Sequence, residues 1–175
     1  MTRILALLNA ANKDVGLSDE QLDYLQALYG TLTLDLLTLA RTNPALGERI
    51  HENYPDIMAQ IHRAVSAEYC LSLNDFIFRR SMLGFTHDQG MAAAERIATE
   101  LGQLLNWSEE ELQRQYDVYR EHIDKSQAFR AELGEAPVPE FTPHLQQVLT
   151  SDNSANKLAP TTTQQRKKRG EEHRY

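Results

Sequence analysis

The sequence predicts an all-α protein: an orthogonal bundle of five to six helices over residues 1–133, followed by a Pro-containing strap and a disordered basic tail over 134–175. Three observations predict it. Apolar residues recur at three- and four-residue spacing from Leu22 to Ile123, the period of a helix with one buried face. Serine-led helix starts stand at Ser18, Ser72 and Ser108. No stretch alternates with period two between turn residues, so no sheet is expected.

The elements follow in order. Ser18-Asp19-Glu20-Gln21 is a capping box, in which the serine accepts an orphan N–H and the glutamine reaches back. Leu22, Leu25, Leu28 and Tyr29 then mark one helix face. Gly30 interrupts or bends it, and Leu32, Leu36, Leu37, Leu39 and Ala40 continue the pattern until Asn43-Pro44 closes it. Asn53-Tyr54-Pro55 fits a second start, with proline in the first turn and Ile57, Met58, Ile61, Val65 and Tyr69 as the buried stripe. Ser72-Leu73-Asn74-Asp75 opens a short helix carrying Leu73, Phe76, Ile77 and Leu83, and Gly84 is placed as its left-handed stop. Thr86-His87-Asp88-Gln89 opens the next, with Met91, Ala94, Ile97, Ala98, Leu101, Leu104 and Leu105. After the break at Asn106-Trp107, Ser108-Glu109-Glu110-Glu111 caps a last helix bearing Leu112, Tyr116, Tyr119 and Ile123.

Composition bounds the function classes. The 175 residues include 18 Lys+Arg and 25 Asp+Glu, a formal charge of −7. A body near 150 residues buries enough surface, about 70%, to need no metal or disulfide. Cys70 is the one cysteine, which excludes an intrachain disulfide framework and any multi-thiolate zinc site and makes a small core residue the expectation for it. No apolar run approaches the ~20 residues of a membrane span, and the run Ile4 to Leu8 lacks the flanks of a secretory signal. A reduced, cytoplasmic protein is the expectation. Residues 151–175 carry six basic and three acidic residues, +3, which leaves −10 on the rest. That acidity argues against nonspecific nucleic-acid binding by the body, and no specific nucleic-acid partner is expected. The tail, with Leu158 as its one large aliphatic, cannot offset its ordering entropy. Its run Arg166-Lys167-Lys168-Arg169 suits an acidic contact, although a solvated, solubilising end is the plainer reading. Pro137, Pro139 and Pro143 read as an extended strap.

Several chemistries are not written in this chain. The eight glycines never lie two apart, so neither a G-x-G-x-x-G fingerprint nor a Walker loop can be placed. No serine sits in a G-x-S-x-G elbow. His51-Glu52-Asn53-Tyr54-Pro55 begins like a zinc helix but ends in proline where the second histidine belongs. Glu48 and His51 have the E-x-x-H spacing of diiron bundles, which need a second such motif that is missing. Catalytic, cofactor-binding and metal-ligating residues are all expected to be none.

One constellation remains. On a helix Asp75 and Arg79, four apart, pair on one face, and Arg80 stands about 100° further round. With Phe76 and Leu83 on the buried side, a guanidinium lies at the core's edge, where its planar fork suits a carboxylate or backbone carbonyls. Glu68 is the candidate partner; the plainer reading is a solvated basic pair.

Glu68, then Leu73-Asn74-Asp75-Phe76, Arg79-Arg80-Ser81 and Leu83-Gly84 resemble the signature of the C-terminal helical domain of FAD-dependent glycerol-3-phosphate dehydrogenases and α-glycerophosphate oxidases. Tyr29-Gly30 upstream and Leu105-Asn106-Trp107-Ser108 downstream extend the similarity over about residues 22–125. Departures are Asn74 for an acidic residue, Ser81 for threonine, and Phe78 at a variable place. The resemblance implies a domain that caps a separate part holding FAD and the substrate pocket. It implies a docking interface organised by Glu68, Asp75, Phe76, Arg79 and Arg80, with FAD in the family's N-terminal part and no cofactor in this chain. A catalytic role for this chain alone is not expected from it.

Two functions compete on these grounds. One is a cap, stand-alone or truncated, that docks on the FAD-binding part of an enzyme oxidising glycerol 3-phosphate to dihydroxyacetone phosphate, peripheral to a membrane through that partner. The other is an autonomous helical interaction module without metabolic activity, whose basic tail recruits an acidic partner. A third reading makes the chain the end of a longer reading frame.

Overall fold

A computed structural model of the chain describes residues 2–134; the strap and tail expected over 134–175 lie outside the described residues beyond Gly134. The described part is all-α, with six helices of ten residues or more and one short helix. Its β-structure is limited to one antiparallel bridge, Arg49 to Ile57.

The helix at Thr2–Asn12 (α1) has no counterpart in the sequence reading. Only Leu8 of its aliphatics is buried, while Ile4, Leu5 and Leu7 face solvent, so no one-sided stripe marks it. Asn12 ends it by bracketing Leu17: Nδ2 donates to the Leu17 carbonyl at 2.9 Å and Oδ1 accepts its N–H at 3.0 Å. Gly16 (φ +78) supplies the left-handed residue of that turn.

Asp19–Tyr29 (α2) starts at Ser18 with both halves of the capping box formed, Gln21 N–H to Ser18 Oγ at 3.3 Å and Ser18 N–H to Gln21 Oε1 at 3.2 Å. Gly30 ends it (φ +56), and a single 3₁₀ turn leads into Thr33–Thr42 (α3). Buried Thr33 donates to the Leu25 carbonyl across that bend at 3.0 Å. Asn43 then caps the 3₁₀ turn Pro44–Gly47.

The next helix, Met58–Ala67 (α4), begins later than Asn53-Tyr54-Pro55. Proline biases Tyr54 away from helical geometry, and residues 48–57 are instead tied as a loop: Ile50 N–H to the Asp56 carbonyl at 2.8 Å and Met58 N–H to the Glu48 carbonyl at 3.0 Å. Gln60 reaches back to the Ile57 N–H at 2.7 Å, half a capping box led by an isoleucine, which has no oxygen to complete it. Tyr69, expected in the buried stripe, lies beyond the helix end at φ +54 and is 87% exposed.

Leu73–Asp75 (α5), capped by Ser72 Oγ on the Asp75 N–H at 3.0 Å, continues as a π turn over Phe76–Arg80. Gly84 is not the left-handed stop. The turn ends at extended Ser81, and Gly84 sits in the 3₁₀ turn Leu83–Phe85 without a positive φ. What requires glycine there is space, since a Cβ would stand 2.4 Å from Phe78 Cδ1. The left-handed residues are Gln89 and Gly90, and Met91–Leu105 (α6) starts after them, five residues past Thr86.

Glu109–Glu132 (α7) follows Asn106 in the left-handed conformation. Ser108 Oγ accepts the Glu111 N–H at 3.2 Å, while Glu111 pairs with Arg114 in place of closing the box. The core gathers Ile61, Leu73, Phe76, Ile77, Ile97, Leu101, Tyr116 and Tyr119 where α4, α5, α6 and α7 meet, and Leu25, Leu36 and Leu37 extend it through α2 and α3, the latter packed on α4. Among the described residues of α7 none after Ile123 is buried.

Candidate functional docking face

The constellation read from the sequence forms one connected cluster. At the end of α4 the chain doubles back, with the Glu68 and Cys70 N–H groups both reaching the Ala64 carbonyl at 3.1 Å. The π turn holds Ser81 N–H on the Phe76 carbonyl at 3.0 Å, a winding common at functional sites, and places Arg79 and Arg80 along the same groove. Arg80 forks onto the Glu68 main-chain carbonyl, from Nε at 3.2 Å and Nη2 at 2.7 Å. Its Nε lies 3.6 Å from the Glu68 carboxylate, which Arg63 holds more closely at 3.1 Å. Arg63 also reaches Asp35 at 2.8 Å. Asp75 pairs with Arg79 at 2.9 Å, the expected i,i+4 geometry, and its other oxygen accepts the Leu71 N–H at 3.4 Å. Phe76 is fully buried beneath the turn, so it supports the face from the core and does not line it.

Between α2 and the π turn lies a groove of about 400 Å³. Its apolar wall comes from Leu28, Leu32, Met82 and Phe85, and its polar rim from Glu68, Arg79 and Arg80. Phe85 is 78% exposed and Arg79 72%. Tyr29 at the floor donates to the Arg80 carbonyl at 3.3 Å, and burial pushes its phenol up to about 12, so it stays a donor at neutral pH. Phe78 closes one end, packed on the His122 ring at a centroid distance of 4.4 Å. The sequence reading missed this wall, because Leu28 and Leu32 share the period of the core-facing leucines.

The other sequence candidates do not converge. Glu48 pairs with Arg96 at 2.7 Å, and His51 sits in the 48–57 loop accepting the Asn53 N–H at 3.3 Å. Among the described residues no group of three His, Cys, Asp or Glu is placed to hold a metal. Cys70 is buried, and burial pushes its thiol up to about 11, far from a thiolate at neutral pH. Two carboxylates serve the fold. Asp56, 2% exposed, accepts from Tyr24 at 2.8 Å and Gln60 at 3.1 Å, and burial raises its pKa above the usual carboxylate range. Burial pushes Asp88 the same way, but bonds from Tyr54, the Ala92 N–H, Thr86 and the Gly90 N–H outweigh it and hold the group below that range.

The start of α6, directly behind Gly90, does not fit a flavin pyrophosphate. Such a group needs free N–H donors at a helix start behind glycine. At α6 the Ala92 and Gly90 N–H groups are already on the Asp88 carboxylate at 2.9 and 3.3 Å. An anion there would meet a fixed negative charge.

Comparison with known proteins adds the following. The family model for the C-terminal domain of alpha-glycerophosphate oxidase matches residues 5–112. A glycerol-3-phosphate dehydrogenase of Synechocystis sp. is 34% identical over 111 residues, which is 63% of this chain and 20% of that protein. One of Mycobacterium leprae is 29% identical over 110 residues, 62% of this chain and 19% of that protein. The mitochondrial glycerol-3-phosphate dehydrogenase of Rattus norvegicus is 31% identical over 102 residues, 55% of this chain and 14% of that protein. The chain thus spans a fifth or less of the length of these relatives. No solved structure matches it. Among the described residues no helix is long and apolar enough to cross a membrane.

Proposed function

This chain belongs to the family of the C-terminal domain of alpha-glycerophosphate oxidase, and from that premise we propose that it caps the FAD-dependent catalytic part of a glycerol-3-phosphate dehydrogenase and is not itself catalytic. The full enzyme would oxidise glycerol 3-phosphate to dihydroxyacetone phosphate, with the flavin of the catalytic part as the two-electron acceptor. The contribution of these helices is docking and exclusion of water from the seam.

One observation supports this reading above the others. Leu28, Leu32, Met82 and Phe85 leave apolar surface open beside two arginines on a chain that is otherwise acidic. Interface cores are enriched in aromatic, Met and Arg side chains and depleted of Asp and Glu. Here Glu68 and Asp75 are both engaged by arginines. Arg80, by gripping the Glu68 carbonyl, fixes the rim before any partner arrives, which lowers the ordering cost of association.

A domain exchange tests the proposal. The aligned 111-residue segment of the Synechocystis sp. dehydrogenase is replaced by the matching segment of this chain. Retained flavin and glycerol-3-phosphate-dependent dye reduction well above that of the enzyme lacking the segment are expected. A chimera no better than the segment-deleted enzyme, or a bound flavin on the isolated chain, would refute it.

A further inference from the structure

Among the described residues Tyr69 is the most exposed of the large apolar side chains, and its backbone fixes that exposure. The residue holds φ +54, a left-handed conformation that a bulky side chain adopts only when its surroundings enforce it. Those surroundings are on both sides. The Glu68 carbonyl is gripped by the Arg80 fork at 2.7 and 3.2 Å, the Cys70 N–H is tied to Ala64 at 3.1 Å, and the Leu71 N–H is held by Asp75 at 3.4 Å. Cys70 itself is fully buried. The loop is therefore held at Glu68, Cys70 and Leu71, on both sides of the tyrosine, while its ring is 87% exposed and Leu71 beside it is 61% exposed. Fraying does not account for an aromatic held this way.

We infer that Tyr69 is a docking knob: its ring inserts into an apolar cleft on the flavoprotein part, next to a carboxylate of that part that meets the open edge of Arg79. This rests on the capping role proposed above and deepens it. Tyrosine suits the task, since it brings a large, rigid, amphipathic surface at little entropic cost and recurs among the few interface residues that carry most of the affinity. The charge argument points to the same partner chemistry. Arg79 spends one donor on Asp75, Nη1 to Oδ1 at 2.9 Å, and stands 72% exposed, so the rest of its guanidinium is free to fork onto a carboxylate. The groove on the far side of Glu68 then takes an aliphatic or aromatic side chain in return. Knob and groove share one spine, the Arg80–Glu68 clamp.

The left-handed backbone makes the test decisive. Asparagine tolerates this conformation far better than tyrosine, so Tyr69→Asn relieves strain in the free chain while removing the ring. The variants Tyr69→Asn and Tyr69→Phe are made both in the free chain and in the dehydrogenase chimera. The expected result is an equal or higher melting temperature for free Tyr69→Asn, with limited proteolysis of the chimera accelerated about tenfold or more, since cleavage follows the undocked population. Tyr69→Phe, which keeps the ring, should behave as the parent. An unchanged proteolysis rate for the Tyr69→Asn chimera overturns the knob while leaving the cap intact. A melting temperature that drops in the free chain as much as in the chimera assigns Tyr69 to the fold and overturns it as well. A parent chimera that retains no flavin removes the capping role, and the knob with it.

Discussion

Replacing Arg80 with alanine probes the spine of the candidate face. The structure gives it two N–H···O bonds to the Glu68 carbonyl, at 2.7 and 3.2 Å, from a guanidinium that is 33% exposed. A hydrogen bond from a charged donor is worth ~1.5–3 kcal/mol net when buried, and both donors here share a single acceptor at a half-open site, which places the loss near the bottom of that range. The ion pair with the Glu68 carboxylate, 3.6 Å away, adds little, because Glu68 keeps Arg63. The expected cost is about 1.5–2 kcal/mol, or roughly 5–7 °C in melting temperature for a domain of this size. Arg80→Lys should recover no more than about half of it, since an ammonium cannot reproduce a planar fork. Urea unfolding followed by circular dichroism measures both variants, and amide exchange at Cys70 and Leu71 reports whether the loop has come loose. A loss below about 0.5 kcal/mol for alanine, or a lysine variant equal to the parent, would refute the view that the fork holds the 68–71 loop.

Three further outcomes follow from the packing. Gly84→Ala should destabilise by about 1–3 kcal/mol, because the new methyl meets Phe78 Cδ1 at 2.4 Å and the Ile77 carbonyl at 3.1 Å; tryptophan-free probes such as the His122 ring resonances will show the displaced Phe78, and a neutral effect would mean the ring swings aside freely. Asp88→Ala should cost about 1–2 kcal/mol through the lost cap of α6. Since the fold lowers the Asp88 pKa, that contribution is complete above the ordinary carboxylate range and vanishes as pH falls through the lowered value; parent and variant stability should therefore converge in acid. Asp56 runs the other way. Its pKa is raised by burial, so its favourable share is present at low pH and lost as pH rises through the raised value. Asp56→Asn should gain on the parent between pH 4 and pH 8, and denaturation midpoints that stay parallel across that range would contradict it.

The helices legible in the sequence were those with a stripe on one side and a polar cap, such as α2 behind Ser18 and α7 behind Ser108. Where either signal was missing the reading slipped. The first helix has its aliphatics all round, because one of its sides packs on α3 while Ile4, Leu5 and Leu7 stay open. The start of α4 moved to Met58 because Asp56 must stay in the loop to meet Tyr24, a residue 32 positions away that no local pattern reveals. The error at Gly84 has the same origin. From sequence a glycine after a helix reads as a left-handed stop, whereas here the ring of Phe78, folded back across the π turn, sets the need for a missing side chain. A π turn itself leaves no periodic trace over five residues.

The candidate face was legible in its charges and not in its apolar wall. The Asp75–Arg79 spacing fixed one ion pair in advance, and the fork of Arg80 found Glu68, though mainly through its carbonyl. Leu28 and Leu32 were read as core because hydrophobic period reports that a surface must be covered, without saying what covers it. In a self-sufficient domain those two statements coincide. Here they part. Leu28, Leu32, Met82 and Phe85 lie more than 50 residues apart in the chain at their extremes, yet they line one groove and keep between 37% and 78% of their surface in water. Tyr69 carries the same lesson in a single residue: it continues the stripe of α4 by count, and the left-handed turn after Ala67 carries it out of that stripe. An excess of periodic apolar residues over those the fold buries is what the proposed capping role calls for, because a second apolar face would then be completed by another surface.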